Sequence, residues 1–206
     1  MKRLFAILAG LLSVTLATAQ DVAPDALVRS VSNDVLEIVR KDKDIQSGNL
    51  RKAVELAEAK VLPHFDFGHM TRLAVGKDWR KATPEQQKTL VDEFRTLLVR
   101  TYSKAFVEYR NQAINFKPFK MQPGDTDVLV RTVVNPSSPN PVQIDYNLDK
   151  TEQGWKVYDI SVGGVSLVTN YRSSFAQEVS AGGIDGLIGS LRAKNKSGDG
   201  KVAAKK

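Results

Sequence analysis

The chain has 206 residues, no cysteine and a formal net charge of +7. The missing cysteine excludes disulfides, thiol catalysis, Cys-based metal sites and an acylated-cysteine anchor. The charge does not mark a nucleic-acid surface. Lys2 and Arg3 carry two units and the segment Arg192 to Lys206 carries five, which leaves Gln20 to Leu191 neutral.

Read from the start, Lys2 and Arg3 precede LFAILAGLLSVTLA and an A-x-A site at Ala17–Ala19. This is the pattern of a secretory leader, residues 1–19, cut after Ala19. The apolar run is about 14 residues, short of the roughly 20 that a spanning helix needs. An exported chain with neither anchor nor staple must draw its stability from its core, and one domain over residues 20–195 is expected. The Gly/Ser/Ala/Lys composition of residues 196–206 offers almost nothing to bury and predicts a disordered basic tail.

Pro24 at a first helical position, followed by Leu27, Val28, Val31, Val35 and Val39, predicts an amphipathic helix. Leu50, Ala53, Val54, Ala57 and Val61 predict a second, stopped by Pro63. Asp66 can cap a short third helix carrying Phe67, Met70, Leu73 and Ala74, with Gly76 at its end. Thr83-Pro84-Glu85-Gln86 is a capping box. The stripe behind it, from Leu90 through Phe94, Leu98, Tyr102 and Phe106 to Tyr109, predicts a helix roughly 40 Å long.

The period then changes to two. Ile114 and Phe116, then Val128, Val130 and Val134, then Val142, Ile144, Tyr146 and Leu148 alternate with polar residues, and 154–162 reads as a fourth strand. Clean alternation favours an antiparallel sheet with one dry face, so the fold class is α+β: about four strands wrapped by six or seven helices. Gly163-Gly164 is expected to turn the last strand into a closing helix over 166–180, followed by another over 184–193.

No constellation with catalytic spacing emerges. His64 and His69 are five apart, which does not place both rings on one helical face, so no metal site is expected. Gly163-Gly164-Val165-Ser166 has neither the trailing glycine of a nucleophile elbow nor the Lys-Ser/Thr of a phosphate loop. Asp159 is the one carboxylate that an enzyme reading could use, and a turn-capping role competes with it. A chaperone reading would require an open apolar surface. The large apolar residues of helix and sheet share one interior, and periodicity alone does not separate a packed core from a lined cavity.

The stretches FDFGHMTRLAVGKDWRKATPEQQ, FRTLLVRTYSKAF, GWKVYDISVGGVSLVTNYRSSFAQEV and GGIDGLI closely resemble the MlaC family of periplasmic phospholipid-binding proteins, also known as toluene-tolerance components of an ABC transport system. The resemblance covers roughly residues 25–195, departing at Val75, where a leucine is common, and in the Lys-rich tail. It implies a soluble, monomeric periplasmic shuttle without cofactor. The shuttle would carry a glycerophospholipid between an outer-membrane lipoprotein–porin complex and an inner-membrane ABC transporter of a Gram-negative cell, maintaining outer-membrane asymmetry. The implied fold is a curved, cone-like sheet enclosing an apolar cavity. On that fold the acyl chains would meet Phe94, Leu98, Tyr102 and Phe106 of the long helix and Val130, Ile144, Tyr146 and Tyr158 of the sheet. Val165, Val168, Tyr171 and Phe175 would complete the wall from one face of the closing helix, with Arg172 near the headgroup.

Overall fold

The computed structural model describes residues 22–108 and 112–197, with side chains for all of these except 104–108. Helix α1 spans Pro24–Lys41, a single turn α2 Lys43–Gln46, and α3 Leu50–Lys60. Helix α4 (Phe67–Val75) and the long α5 (Pro84–Glu108) follow. The sheet comes next: β1 Ile114–Phe116, β2 Asp127–Val134, β3 Val142–Thr151, β4 Gly154–Val162 and β5 Val165–Ser166. Helix α6 (Arg172–Ser197) closes the chain, broken at Gly183, whose φ of 65° no helix accommodates. The expected leader, residues 1–19, and residues 198–206 of the expected tail lie outside the described residues.

Local signals place the helix ends. Asp66 Oδ1 accepts from the His69 N–H at 2.8 Å, and Gly76 ends α4 with φ 64°. At the start of α5 the Gln86 N–H donates to Thr83 Oγ1 at 3.2 Å, while Gln86 Oε1 accepts from the Thr83 N–H at 3.0 Å. Two orphan donors are satisfied reciprocally. The end of α6 is tied to α5: Asn195 Nδ2 donates to the Glu93 carbonyl at 2.9 Å and to its carboxylate at 2.8 Å.

The five strands form one antiparallel meander in the order β1-β2-β3-β4-β5. Val128, Val130, Thr132 and Val134 are all buried, with Val128 and Val130 facing Leu148 and Tyr146 across the ladder. A register shift at Asn147/Leu148 leaves Tyr158 as an extra residue on β4 and bends the sheet there.

The segment after β4 corrects the sequence expectation. Gly163 and Gly164, at φ 57° and 82°, make a tight hairpin rather than a strand-to-helix corner, and Val165 returns opposite Val162 as the fifth strand. Paired left-handed glycines match the twist of the flanking strands. Ser166 Oγ then accepts from the N–H groups of Val168 and Thr169 at 3.2 and 2.9 Å. A serine engaged this way offers the backbone an alternative to the α-helix, so α6 begins only at Arg172.

Three apolar clusters hold the molecule. One joins α4, α5 and α6 through Met70, Leu90, Phe94, Val168, Phe175, Leu187 and Leu191. A second packs Val28 of α1 on Val128, Val130, Leu148, Trp155 and Val157 of the sheet. A third joins α1, α2 and α3 through Val35, Val39, Ile45 and Leu56. Thr83→Ala should remove one arm of the capping box and lower stability by about 1 kcal/mol in urea unfolding.

Candidate functional site

The buried residues of the three clusters are distinct, and Phe65 packs against both the helical and the sheet cluster. Where they meet lies an apolar pocket of about 310 Å³, walled by members of each. Helix α1 supplies Leu27, Val28, Val31, Ser32, Val35, Leu36 and Val39; the α3–α4 region supplies Ala57, Val61, Leu62, His64, Phe65, Phe67 and Met70. Leu98, Val99, Tyr102 and Ser103 come from α5 and Gln112 from the segment behind it. The sheet contributes Ile114, Val134, Ile144, Tyr146, Val157 and Ile160, and Leu167 completes the wall. Helix α5 changes role along its length: Leu90, Phe94 and Leu97 pack in the helical cluster, and Tyr102 and Ser103 reach the pocket.

Of the residues expected at the site, Leu98, Tyr102, Ile144 and Tyr146 stand on this wall. Phe94, Val168 and Phe175 are fully buried in the helical cluster. The rings of Phe94 and Phe175 meet edge-on at 5.2 Å, as do those of Phe94 and Tyr171. Val130 lies in the cluster between α1 and the sheet. The Tyr158 ring stacks on His69 at 4.2 Å, and its hydroxyl donates to Asp127 Oδ2 at 2.7 Å. Val165 is 57% exposed in β5, so the expected helical face of Val165, Val168, Tyr171 and Phe175 does not exist as one surface. Arg172 donates twice to the Leu73 carbonyl, at 3.1 and 2.9 Å, fastening α6 to the end of α4. The Phe106 side chain lies outside the described residues.

Of the two histidines, His69 has local partners. His69 Nδ1 meets Asp149 Oδ2 at 2.8 Å, linking α4 to β3. One donor atom each of Asp66, His69 and Asp149 lie within 4.8 Å of one another. Asp66 is already engaged as the helix cap and His69 by Asp149, so the group reads as a joint between helix and sheet. His64, half-buried on the pocket wall, has its pKa lowered by burial and by the nearby Lys156.

The phenols near the pocket are neutral. Burial, then the neighbouring Tyr171, pushes the Tyr102 hydroxyl far above its ordinary value. Burial also raises Tyr146, against hydrogen bonds with Thr132 and Ser32 that pull it down. Ser103 Oγ donates to the Val99 carbonyl.

Asp159 is buried but is not on the pocket wall. Burial raises its pKa, opposed by the Ser166 hydroxyl and the backbone N–H groups of Val168 and Ile160. It therefore braces the return from β4 into β5. A carboxylate whose folded pKa is raised is neutral in both states below its unfolded value near 3.8. As pH climbs above that value the unfolded chain ionises first, so this group's contribution falls until pH passes the folded pKa. In urea unfolding from about pH 4 to 7, the stability of Asp159→Asn relative to the natural chain should therefore rise with pH.

The sequence pattern of the MlaC protein family matches residues 29–193. A toluene tolerance protein, ttg2D, of Pseudomonas putida is 26% identical over 192 residues, covering 89% of this chain and 88% of its own length. An intermembrane phospholipid transport system binding protein, MlaC, of Haemophilus influenzae is 21% identical, covering 91% of each chain. A phospholipid-binding protein of Ralstonia solanacearum, solved in complex with a phospholipid, superposes with a TM-score of 0.78. It is 40% identical, and the match covers 87% of this chain and 99% of that one.

Proposed function

The chain belongs to the MlaC protein family, and we propose that it is a phospholipid carrier that takes acyl chains into the pocket at the junction of its three clusters. The observation that carries this reading is the pocket itself: an almost wholly apolar wall, on a fold shared with a 40%-identical protein that holds a phospholipid. The physical task fits that wall. A diacyl lipid exposes about 30 methylenes, and at ~0.8 kcal/mol each its bare passage through water costs more than about 20 kcal/mol. A carrier has to replace that burial, and it needs no nucleophile to do so. No catalytic role is proposed for Asp159, which supports a turn.

The names of the relatives support a place in an intermembrane transport system. The leader pattern read at residues 1–19 supports export to the periplasm, with the carrier moving between an inner-membrane transporter and an outer-membrane complex. No helix among the described residues is long and apolar enough to cross a membrane.

Solvent extraction and mass spectrometry of the purified full chain should recover phospholipid, near one per chain. A folded protein free of lipid that takes none up from vesicles would overturn the reading.

Paired substitutions locate the site. Ile144 lines the pocket, so Ile144→Trp should fill it and reduce recovered lipid severalfold while the protein stays folded. Val168 is fully buried in the helical cluster, so Val168→Trp should cost roughly 1–3 kcal/mol by overpacking and leave lipid per folded chain unchanged. Thermal unfolding beside lipid counts reads both, and the reverse pairing would move the site out of this pocket.

A further inference from the structure

Among the described residues two carboxylates are buried, Asp78 and Asp159. Asp78 meets the Lys81 ammonium at 2.6 Å. Asp159, only 6% exposed, has no such partner: its charge is met by the Ser166 hydroxyl and the backbone N–H groups of Val168 and Ile160. No cation or second carboxylate among the described residues acts on it. A buried charge held by hydrogen bonds alone still depends on the solvent polarisation that reaches it, because loss of water disfavours the charged form.

Asp159 stands one layer behind the pocket wall. Ile160, next to it on β4, lines the pocket, and so does Leu167, whose N–H donates to the Ile160 carbonyl at 2.7 Å. Tyr102 lines it from α5, close enough for the carboxylate's charge to act on its phenol. Tyr158, on the same strand, is the other titratable group that the carboxylate reaches, and uncharged Asn147 stands opposite on β3. Burial keeps both phenols neutral, so neither offers a countercharge. While the pocket holds water, that water polarises around the carboxylate across a thin apolar wall. Hydrocarbon in its place does not.

We propose that filling the pocket with acyl chains drives a proton from solvent onto the Asp159 carboxylate, so that the protein holds lipid more tightly at acid than at neutral pH. This rests on the phospholipid reading above and adds a control to it. The sign follows from linkage. If the loaded protein binds the proton more strongly than the empty one, the gain in lipid affinity is complete below the empty-state pKa and is lost as pH rises through the loaded-state pKa. His64, on the pocket wall, gives the opposite sign: burial already lowers its pKa, and hydrocarbon beside it favours the neutral ring further, so its contribution is proton release. The two groups are therefore told apart by the direction in which the proton moves.

Carboxyl carbon NMR of the natural full chain, stripped of lipid and then reloaded from phosphatidylglycerol vesicles, gives the titration midpoint of Asp159 in each state. The midpoint should be higher in the loaded protein. Affinity for the same vesicles should fall as pH is raised from about 4 to 7, by at most about tenfold per pH unit, the limit for one proton. Asp159→Asn keeps an acceptor for Ser166 and loses the titrating group, so its affinity should change less with pH than that of the natural chain. Equal midpoints in the empty and loaded protein, or the same pH dependence in Asp159→Asn as in the natural chain, overturns the inference and leaves lipid carriage standing. Failure of the natural chain to take up lipid at any pH overturns both. The midpoint comparison needs no variant to fold.

Discussion

The apolar inner face of the sheet has to be taken out of water, and no single helix does it. Val28 of α1 covers Val128, Val130, Leu148, Trp155 and Val157 at one end. The main packing of α4, α5 and α6 is with one another. Helices α2 and α3 pack on the far part of α1, through Ile45 and Leu56. Hydrophobic burial is non-directional and rewards any of these contacts equally. After the β4 bulge and the hairpin at Gly163-Gly164 the chain passes into α6, whose buried residues pack with those of α4 and α5. The pocket is the space that this division leaves.

Much of the frame was legible in the residues because it is written in local chemistry. Asp66, Thr83 with Gln86, and the glycine at 76 act within a turn of where they stand, so their roles follow from spacing alone. The strands declared themselves by alternation. The segment 165–171 did not. Its apolar residues have helical spacing, but Ser166 and the two preceding glycines outweigh that weak preference and place a hairpin there.

The pocket was less legible than the fold, and the reason is physical. Leu98 and Phe94 sit on one stripe of α5, yet one reaches the pocket wall and the other is sealed by Tyr171 and Phe175. Periodicity reports that a face is dry, and it does not report what dries it. The largest contribution that escaped the sequence reading of the site came from α1. Its Val31, Val35 and Val39 read as an ordinary amphipathic stripe, and only the tertiary arrangement puts them opposite the sheet across an open space. Gln112 had no sequence signal, since an isolated glutamine before a strand is commonplace, and only the tertiary arrangement puts it on the pocket wall.

At about 310 Å³ the pocket is at the small end of the range that ligand sites occupy. Its wall is drawn from all three clusters, so a chain held there touches each of them. The thermal character of such a grip is distinctive. Burial of hydrocarbon lowers the heat capacity, so the enthalpy of loading grows more favourable on warming while the entropy grows less so. A calorimeter following one loading reaction across temperature would therefore record a steep slope, where a carrier holding its cargo chiefly by headgroup charge would record a shallow one.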